Sequence, residues 1–256
     1  MSWSASQYSK FEDQRNRPII DLLAHLPDTQ VETAADIGCG PGNSTEFLRD
    51  RYPQATLLGM DSSTDMIEAA RRRLPDVAFE VDDIAIWANP GPFDVILANA
   101  ALQWVDDHET LIPNLIGKLA PGGSLAVQVP DNLDEPARRL MYEVAAEGAW
   151  SVKLEAARQS RAPRRSVDWY YRLLRGLVPS VDIWRTVYHH RLAEGPDGVI
   201  EWFKGTSLRP FLEPLDPDEQ AAYLERYRAG VASAYPAQAD GSLLLPFPRL
   251  FFIATR

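Results

Sequence analysis

The sequence predicts an α/β protein built on a doubly wound, mainly parallel sheet, and three observations carry that expectation. Short apolar strands alternate with helical stretches from about residue 19 to 130. The first strand runs into AADIGCGPGNSTEFL, residues 34–48, where Gly38, Gly40 and Gly42 alternate and a helix opens at Asn43–Ser44–Thr45. Successive strands end in polar residues, at Asp36, Asp61, Asp82–Asp83 and Asn99. Open parallel sheets bind ligands at those carboxyl ends.

Each element has a local signature. PIIDLLAHL reads as a short amphipathic helix opened by Pro18 and ended by Pro27–Asp28. Strand one covers about 32–37, and the helix STEFLRDRYP follows the glycines. Strand two, Ala55–Met60, ends at Asp61, ahead of a helix whose last turn carries Arg71, Arg72 and Arg73 as dipole compensation and solvated surface. Strand three is Val77–Val81 and strand four Phe93–Ala98. Helix HETLIPNLIGKL leads through the turn APGG to strand five, Ser124–Val129. After Pro130 the pattern changes to EPARRLMYEVAAE, the loop ARQSRAPRRS, the helix DWYYRLLRGL, the strand VDIWRTVYHHRL, a mostly helical stretch and a closing strand, PRLFFIATR.

Composition narrows the function. Twenty-six basic against thirty-six acidic residues give a net charge of −10, which argues against a nucleic-acid partner, since phosphate binding needs a basic surface. The single Cys39 forms no intramolecular disulfide and belongs to no zinc or redox spacing; in the glycine loop it reads as a plain small residue. No metal-ligand pattern stands out. The first residues, MSWSASQYSKF, lack an apolar signal-type core, and no run is long enough to cross a bilayer, so a cytoplasmic protein without membrane association is expected.

Glycines at alternate positions let the chain turn tightly after a strand and approach a ligand without a Cβ in the way. The loop is neither a dinucleotide fingerprint, which wants a glycine where Asn43 stands, nor a P-loop, which wants Gly-Lys-Ser/Thr. With Asp36 two residues before it, G-x-G-x-G resembles the first motif of the class I S-adenosylmethionine-dependent methyltransferases. That resemblance implies a Rossmann-like sheet of seven strands, the last antiparallel, and S-adenosylmethionine as cofactor. It places Gly38, Gly40 and Gly42 under the methionine part and Asp36 at its ammonium. Asp61 falls about twenty residues past the glycines, where such sites hold the carboxylate for the ribose hydroxyls; it also begins the helix N-cap region, with Ser62 beside it. In FEVDDIAIW the pattern puts the adenine contacts on Asp83 and Ile84, with Asp82 as the neighbour and Trp87 either against the ring or in the core. Asn99 would meet the methionine end through its backbone.

Further segments are narrower than the class. NAALQWVDDHETL, VPDN, VDWYYRLL, VDIWRTVYHH, GTSLRPFL and FPRLFFIATR together resemble the trans-aconitate methyltransferase family over essentially the whole chain. The resemblance implies methyl transfer to a carboxylate of a small polyanionic acid, giving a methyl ester and S-adenosylhomocysteine. Methylation of another acceptor, a malonyl thioester or a natural product, and non-catalytic binding of the cofactor are the alternatives. The expected organisation is a core over 1–130, an insertion at 131–166, a core helix and strand six over 167–191, a helical insertion at 192–245 and a final core strand over 246–256. Because both insertions leave carboxyl ends of parallel strands, they are expected to form a cap that sets substrate specificity. Candidate substrate contacts are Tyr8, Gln103, Trp104, Tyr170, His189, Arg209 and Arg249. For Arg209 and Arg249, set among apolar neighbours, an internal carboxylate is as good a partner as a substrate. Trp104 is either core or pocket. His189 and His190 point to opposite faces of a strand. No catalytic side chain is expected, because a carboxylate is ionised at neutral pH.

Overall fold

A computed structural model describes residues 12–159 and 165–256. Seven strands form one sheet in the order β3-β2-β1-β4-β5-β7-β6. They are β1 (Thr33–Ile37), β2 (Thr56–Asp61), β3 (Ala78–Val81), β4 (Phe93–Asn99), β5 (Leu119–Pro130), β6 (Ser180–Leu192) and β7 (Leu243–Thr255). The first five pair in parallel. β7 runs antiparallel to β5: Gly122 at the start of β5 donates to Arg256 O, whereas Asp131 just past its end donates to Pro248 O. The order reverses between β1 and β4, and it is at such a switch point that open α/β sheets form a ligand crevice.

The described residues divide into two compact units: 12–130, 165–186 and 250–256, and 131–159 and 187–249. In the first unit, helices α1 (Glu12–Ala24), α2 (Asn43–Arg51), α3 (Thr64–Arg73), α4 (His108–Gly117) and α7 (Val167–Arg175) accompany the strands. The strands are nearly continuous apolar runs because both faces of the sheet are covered. On one face Ile37, Ile96, Leu125 and Val127 join Leu111 and Leu115 of α4 and Leu174 of α7. A smaller cluster holds Ile67 and Ala70 of α3 with Phe79 and Cys39. α1 buries Ile19, Leu22, Leu23 and, just beyond its end, Leu26, the spacing of one helical face.

Two sequence expectations are corrected. Pro18 does not open α1, which begins at Glu12 and carries Pro18 inside it. The APGG segment is not a separate turn. Phe93 pairs with Leu119 and Val95 with Ser124, so two steps along β4 match five along β5. The extra residues, with Gly122 at φ +81°, form a bulge inside a continuous strand. β7 is also longer than its apolar end suggests. Residues 243–247 run beyond the Asp131–Pro248 hydrogen bond, into which Pro248 enters through its carbonyl, the one backbone group a proline can offer.

The second unit contains α5 (Pro136–Ala145), α6 (Glu155–Gln159), α8 (Pro196–Lys204), α9 (Arg209–Leu212) and α10 (Pro217–Ala234). α10 starts with a reciprocal capping box between Asp216 and Glu219. Tyr223, Tyr227 and Val231, four apart, form its buried stripe. The Tyr223 hydroxyl donates to Met141 O and that of Tyr227 to Ala137 O, while Tyr235 accepts from Ala137 N. These bonds satisfy the hydroxyls, whose burial pushes their pKa values up. Among the described residues no helix is long and apolar enough to cross a membrane.

Candidate cofactor edge

The carboxyl ends of β1, β2, β3 and β4 bring the predicted ligand residues to one edge. Ile37 is level with Met60, Asp61 with Val81, and Asp36 with Leu97, so Asn99, two residues on, is level with Gly38. Gly38 and Cys39 both donate to Met60 O, at 2.8 and 2.9 Å, turning the chain at the end of β1. Gly38 has φ +74°, and a Cβ there would stand 2.4 Å from the Cβ of Ala101. Gly42, at φ +91°, caps α2 against Ala70 of α3. Gly40, by contrast, faces open space. The left-handed backbone favours glycine at all three positions, packing adds to that at Gly38 and Gly42, and Gly40 has open space beside it.

Two carboxylates organise this loop. Asp36 is fully buried, and its Oδ2 accepts from Ser44 Oγ and Thr45 Oγ1, each at 2.7 Å. Burial pushes its pKa up to about 6, against the opposing pull of the two hydroxyls. Its Oδ1 has no hydrogen-bond partner among the described residues. Asp61 Oδ2 accepts from Gly40 N at 3.0 Å and its Oδ1 from Ser63 N at 2.9 Å. The sequence offered two roles for Asp61; the structure shows it bracing both the glycine loop and the turn into α3, with one lone pair per oxygen still available. Ser62 is exposed beside it. Ser44 and Thr45 went unrecognised as site residues, because small hydroxyls after a glycine loop read simply as a helix start. Burial and the charges of Asp36 and Asp61 push the Cys39 thiol pKa up, so it is no nucleophile.

After β3, Asp82 is half-buried and Asp83 exposed. Asp83 Oδ1 accepts from Ala85 N at 2.9 Å, capping a short 3-10 turn, Ile84–Ile86. Ile84 is half-buried, its Cδ1 lying 3.3 Å from where a Gly38 Cβ would stand. Trp87 is a core residue: it is 5% exposed, stacks on Phe93 and donates to Glu80 Oε1 at 3.0 Å. Its indole N–H found a carboxylate 7 residues back, which a sequence pattern does not reveal.

Beyond β4 the chain makes a second 3-10 turn, Leu102–Trp104. Asn99 Oδ1 and Gln103 Oε1 are buried without a hydrogen-bond partner among the described residues. Trp104 is 63% exposed, so it is not core. His108 fixes the turn. Since Leu102 O can only accept, Nε2 carries the proton and donates at 2.8 Å, and Nδ1 accepts from Tyr170 Oη at 2.9 Å. Tyr170 is thereby corrected from a substrate contact to a buried structural partner; Tyr171 is exposed.

In the second unit, His189 is exposed and His190 buried, stacked at 4.5 Å on Trp202, so the inward histidine is not the one expected to bind substrate. Arg209 is not enclosed by apolar side chains: it is half-exposed and pairs with Glu213 at 2.5 Å, one helical turn on. Arg249 is 5% exposed, with its guanidinium 4.9 Å over the Phe247 ring. Tyr8 lies outside the described residues. The arginines after strand two hold structure together: Arg71 donates to Phe79 O, and Arg73 to Asn43 Oδ1 and Glu46.

The fold is that of the Rossmann-like methyltransferases. The YcgJ protein of Bacillus subtilis superposes with a TM-score of 0.58 at 12% identity, covering 95% of this chain and 98% of that one. Phosphoethanolamine N-methyltransferase 2 of Haemonchus contortus, solved with S-adenosyl-L-methionine, superposes at 0.55 and 16% identity, covering 95% of this chain and 52% of that one. At these identities the likeness is one of fold. A family model described as a methyltransferase domain matches residues 34–123. Trans-aconitate 2-methyltransferase of Methylobacterium nodulans is 54% identical over 99% of this chain and 98% of its own. The enzymes of that name from Rhodopseudomonas palustris strain BisB5 and Rhizobium meliloti are 52% and 49% identical, each over 99% or more of both chains. The chain belongs to the trans-aconitate 2-methyltransferase family, whose members are S-adenosylmethionine-dependent methyltransferases.

The edge fits that cofactor. The buried Asp36 Oδ1 and Asn99 Oδ1 oxygens offer acceptors for a cationic group, Asp61 retains lone pairs for hydroxyls, and Gly40 faces open space.

Proposed function

We propose that this protein methylates a carboxylate of trans-aconitate, a tricarboxylate, releasing a monomethyl ester and S-adenosylhomocysteine. The observation that carries this reading is the match along both full chains to relatives named for that reaction. When bound, S-adenosylmethionine supplies an electrophilic methyl group that leaves its sulfur by in-line displacement.

The residues act on the ligands by position. Asp36 holds the glycine loop through Ser44 and Thr45 and turns Oδ1 to the ammonium. Gly38, Gly40 and Gly42 shape the loop beneath the methionine part, and Asn99 follows on β4. Asp61, braced by Gly40 and Ser63, accepts from the ribose hydroxyls. Asp83, with Asp82 beside it, receives the adenine amino group, and the Ile84 N–H meets the ring. Trp104 offers an exposed apolar face to the acceptor.

A carboxylic acid with a pKa of roughly 4 is already ionised at neutral pH, so no base is required. Orientation and exclusion of water then carry the reaction, and orientation can supply about 7–11 kcal/mol in favourable cases. The test is transfer of a labelled methyl group to trans-aconitate, with cis-aconitate, citrate and a malonyl thioester alongside. Alkali-labile label on trans-aconitate well above the others is the expected result; label confined to another acid would reassign the acceptor.

A further inference from the structure

The carboxamide of Gln103 is oriented by its own turn. Its Nε2 donates to Ala100 O at 2.6 Å. Only the nitrogen end of an amide can face a carbonyl; the flipped amide would set two oxygens against each other. Oε1 is therefore turned away from Ala100, and it is buried with no hydrogen-bond partner among the described residues.

The turn that presents this oxygen is pinned on three sides. Ala100 takes φ +53°, a left-handed conformation unfavourable for alanine, and its N–H donates to Gln128 O at 2.8 Å. Ala101 packs directly on the glycine loop, where a Cβ at Gly38 would stand 2.4 Å away. Leu102 O is held by His108 Nε2. A buried, preoriented acceptor thus stands beside the loop proposed to carry the cofactor. Burying an acceptor without a donor is unfavourable, so such an atom calls for a partner.

An atom that can only accept cannot hydrogen-bond an ionised carboxylate, which also only accepts. It suits a donor or a positive charge. Two further buried acceptor oxygens, Asp36 Oδ1 and Asn99 Oδ1, lie on the ends of β1 and β4 on the same edge. From this we infer that the Gln103 Oε1 oxygen is a ligand of the cofactor's cationic end, through the ammonium or the sulfonium with its polarised methyl group, and takes no part in holding the acceptor's carboxylates. This inference rests on the S-adenosylmethionine reading above.

The experiment is calorimetric titration of the full chain with S-adenosylmethionine and, separately, with S-adenosylhomocysteine, which keeps the ammonium but lacks the sulfonium charge. The parent is compared with Gln103→Leu and Gln103→Met, and the acceptor KM is measured in parallel. Losing a hydrogen bond to a charged group should weaken S-adenosylmethionine binding about ten- to a hundredfold. An equal loss for S-adenosylhomocysteine assigns the oxygen to the ammonium; unchanged S-adenosylhomocysteine affinity assigns it to the sulfonium. Parent-like affinity for S-adenosylmethionine in the variants overturns the inference, whether or not the acceptor KM rises. Gln103→Met keeps the side-chain length and carries the test if the leucine variant does not fold. If the parent itself binds neither ligand, the underlying cofactor reading fails, a result distinct from parent-like variants.

Discussion

Replacing Gly38 by alanine tests the geometry of the glycine loop most sharply, because two separate penalties meet at one atom. The residue sits at φ +74°, and the added Cβ would lie 2.4 Å from Ala101 Cβ and 3.3 Å from Ile84 Cδ1. A left-handed conformation costs an L-residue roughly 1–2 kcal/mol. Overpacking at a well-filled position adds about 1–3 kcal/mol. Ala101 has no side-chain torsion to rotate out of the way, so the backbone of the β4 turn must shift. Gly38→Ala should therefore destabilise the protein by about 2–5 kcal/mol, measured by urea unfolding. The two penalties separate in a double-mutant cycle, because Ala101→Gly removes the clash and leaves the dihedral strain. The pair should show a favourable coupling of about 1–3 kcal/mol. A Gly38→Ala variant within about 0.5 kcal/mol of the parent, the range of ordinary surface changes, would refute the reasoning. So would strictly additive effects of the two substitutions.

Asp61→Ala removes the acceptor of both Gly40 N and Ser63 N and should weaken S-adenosylmethionine binding by at least about tenfold; parent-like affinity by calorimetry would refute the ribose assignment. Tyr170→Phe leaves His108 Nδ1 buried without its donor and should cost about 1–3 kcal/mol of stability, seen as a lower Tm. Asp36 gives a pH dependence. Its folded pKa of about 6 lies above the ordinary value of 3.8, so the folded state holds the proton more tightly. The stabilisation is present below pH 3.8 and lost as pH rises through 6, a difference on the order of 3 kcal/mol. In ligand-free unfolding, Asp36→Asn should gain stability relative to the parent between pH 4 and 7; a pH-independent difference would contradict the burial argument. Trp104→Ala, at an exposed position, should leave Tm within about a degree and raise the acceptor KM; an unchanged KM would remove Trp104 from the acceptor site.

Much of the first unit was legible in the order of residues, because its signals are short-range. Glycines at alternate positions, an acidic residue before them and polar residues closing successive strands define a ligand edge whatever surrounds them. The bulge at Gly122 was hidden because Pro-Gly-Gly has the same composition in a turn as inside a strand. Pro18 misplaced a helix start because α1 continues through it, without the hydrogen bond a proline cannot donate.

The sequence by itself determined the alternation of strands and helices, the glycine loop, the carboxylates at the strand ends and the family. Each of these is written in neighbours a few residues apart. Tertiary structure alone decided which internal partners these side chains have. Tyr170 meets His108 across 62 residues, and Asp36 is held by hydroxyls 8 and 9 residues on. Arg209 finds its carboxylate on its own helix face, His190 rather than His189 turns inward, and Trp87 packs into the core. The direction of Gln103 Oε1 follows from a single carbonyl, that of Ala100. Hydrogen-bond partners and burial depend on where the folded chain returns in space, and no local pattern specifies that return.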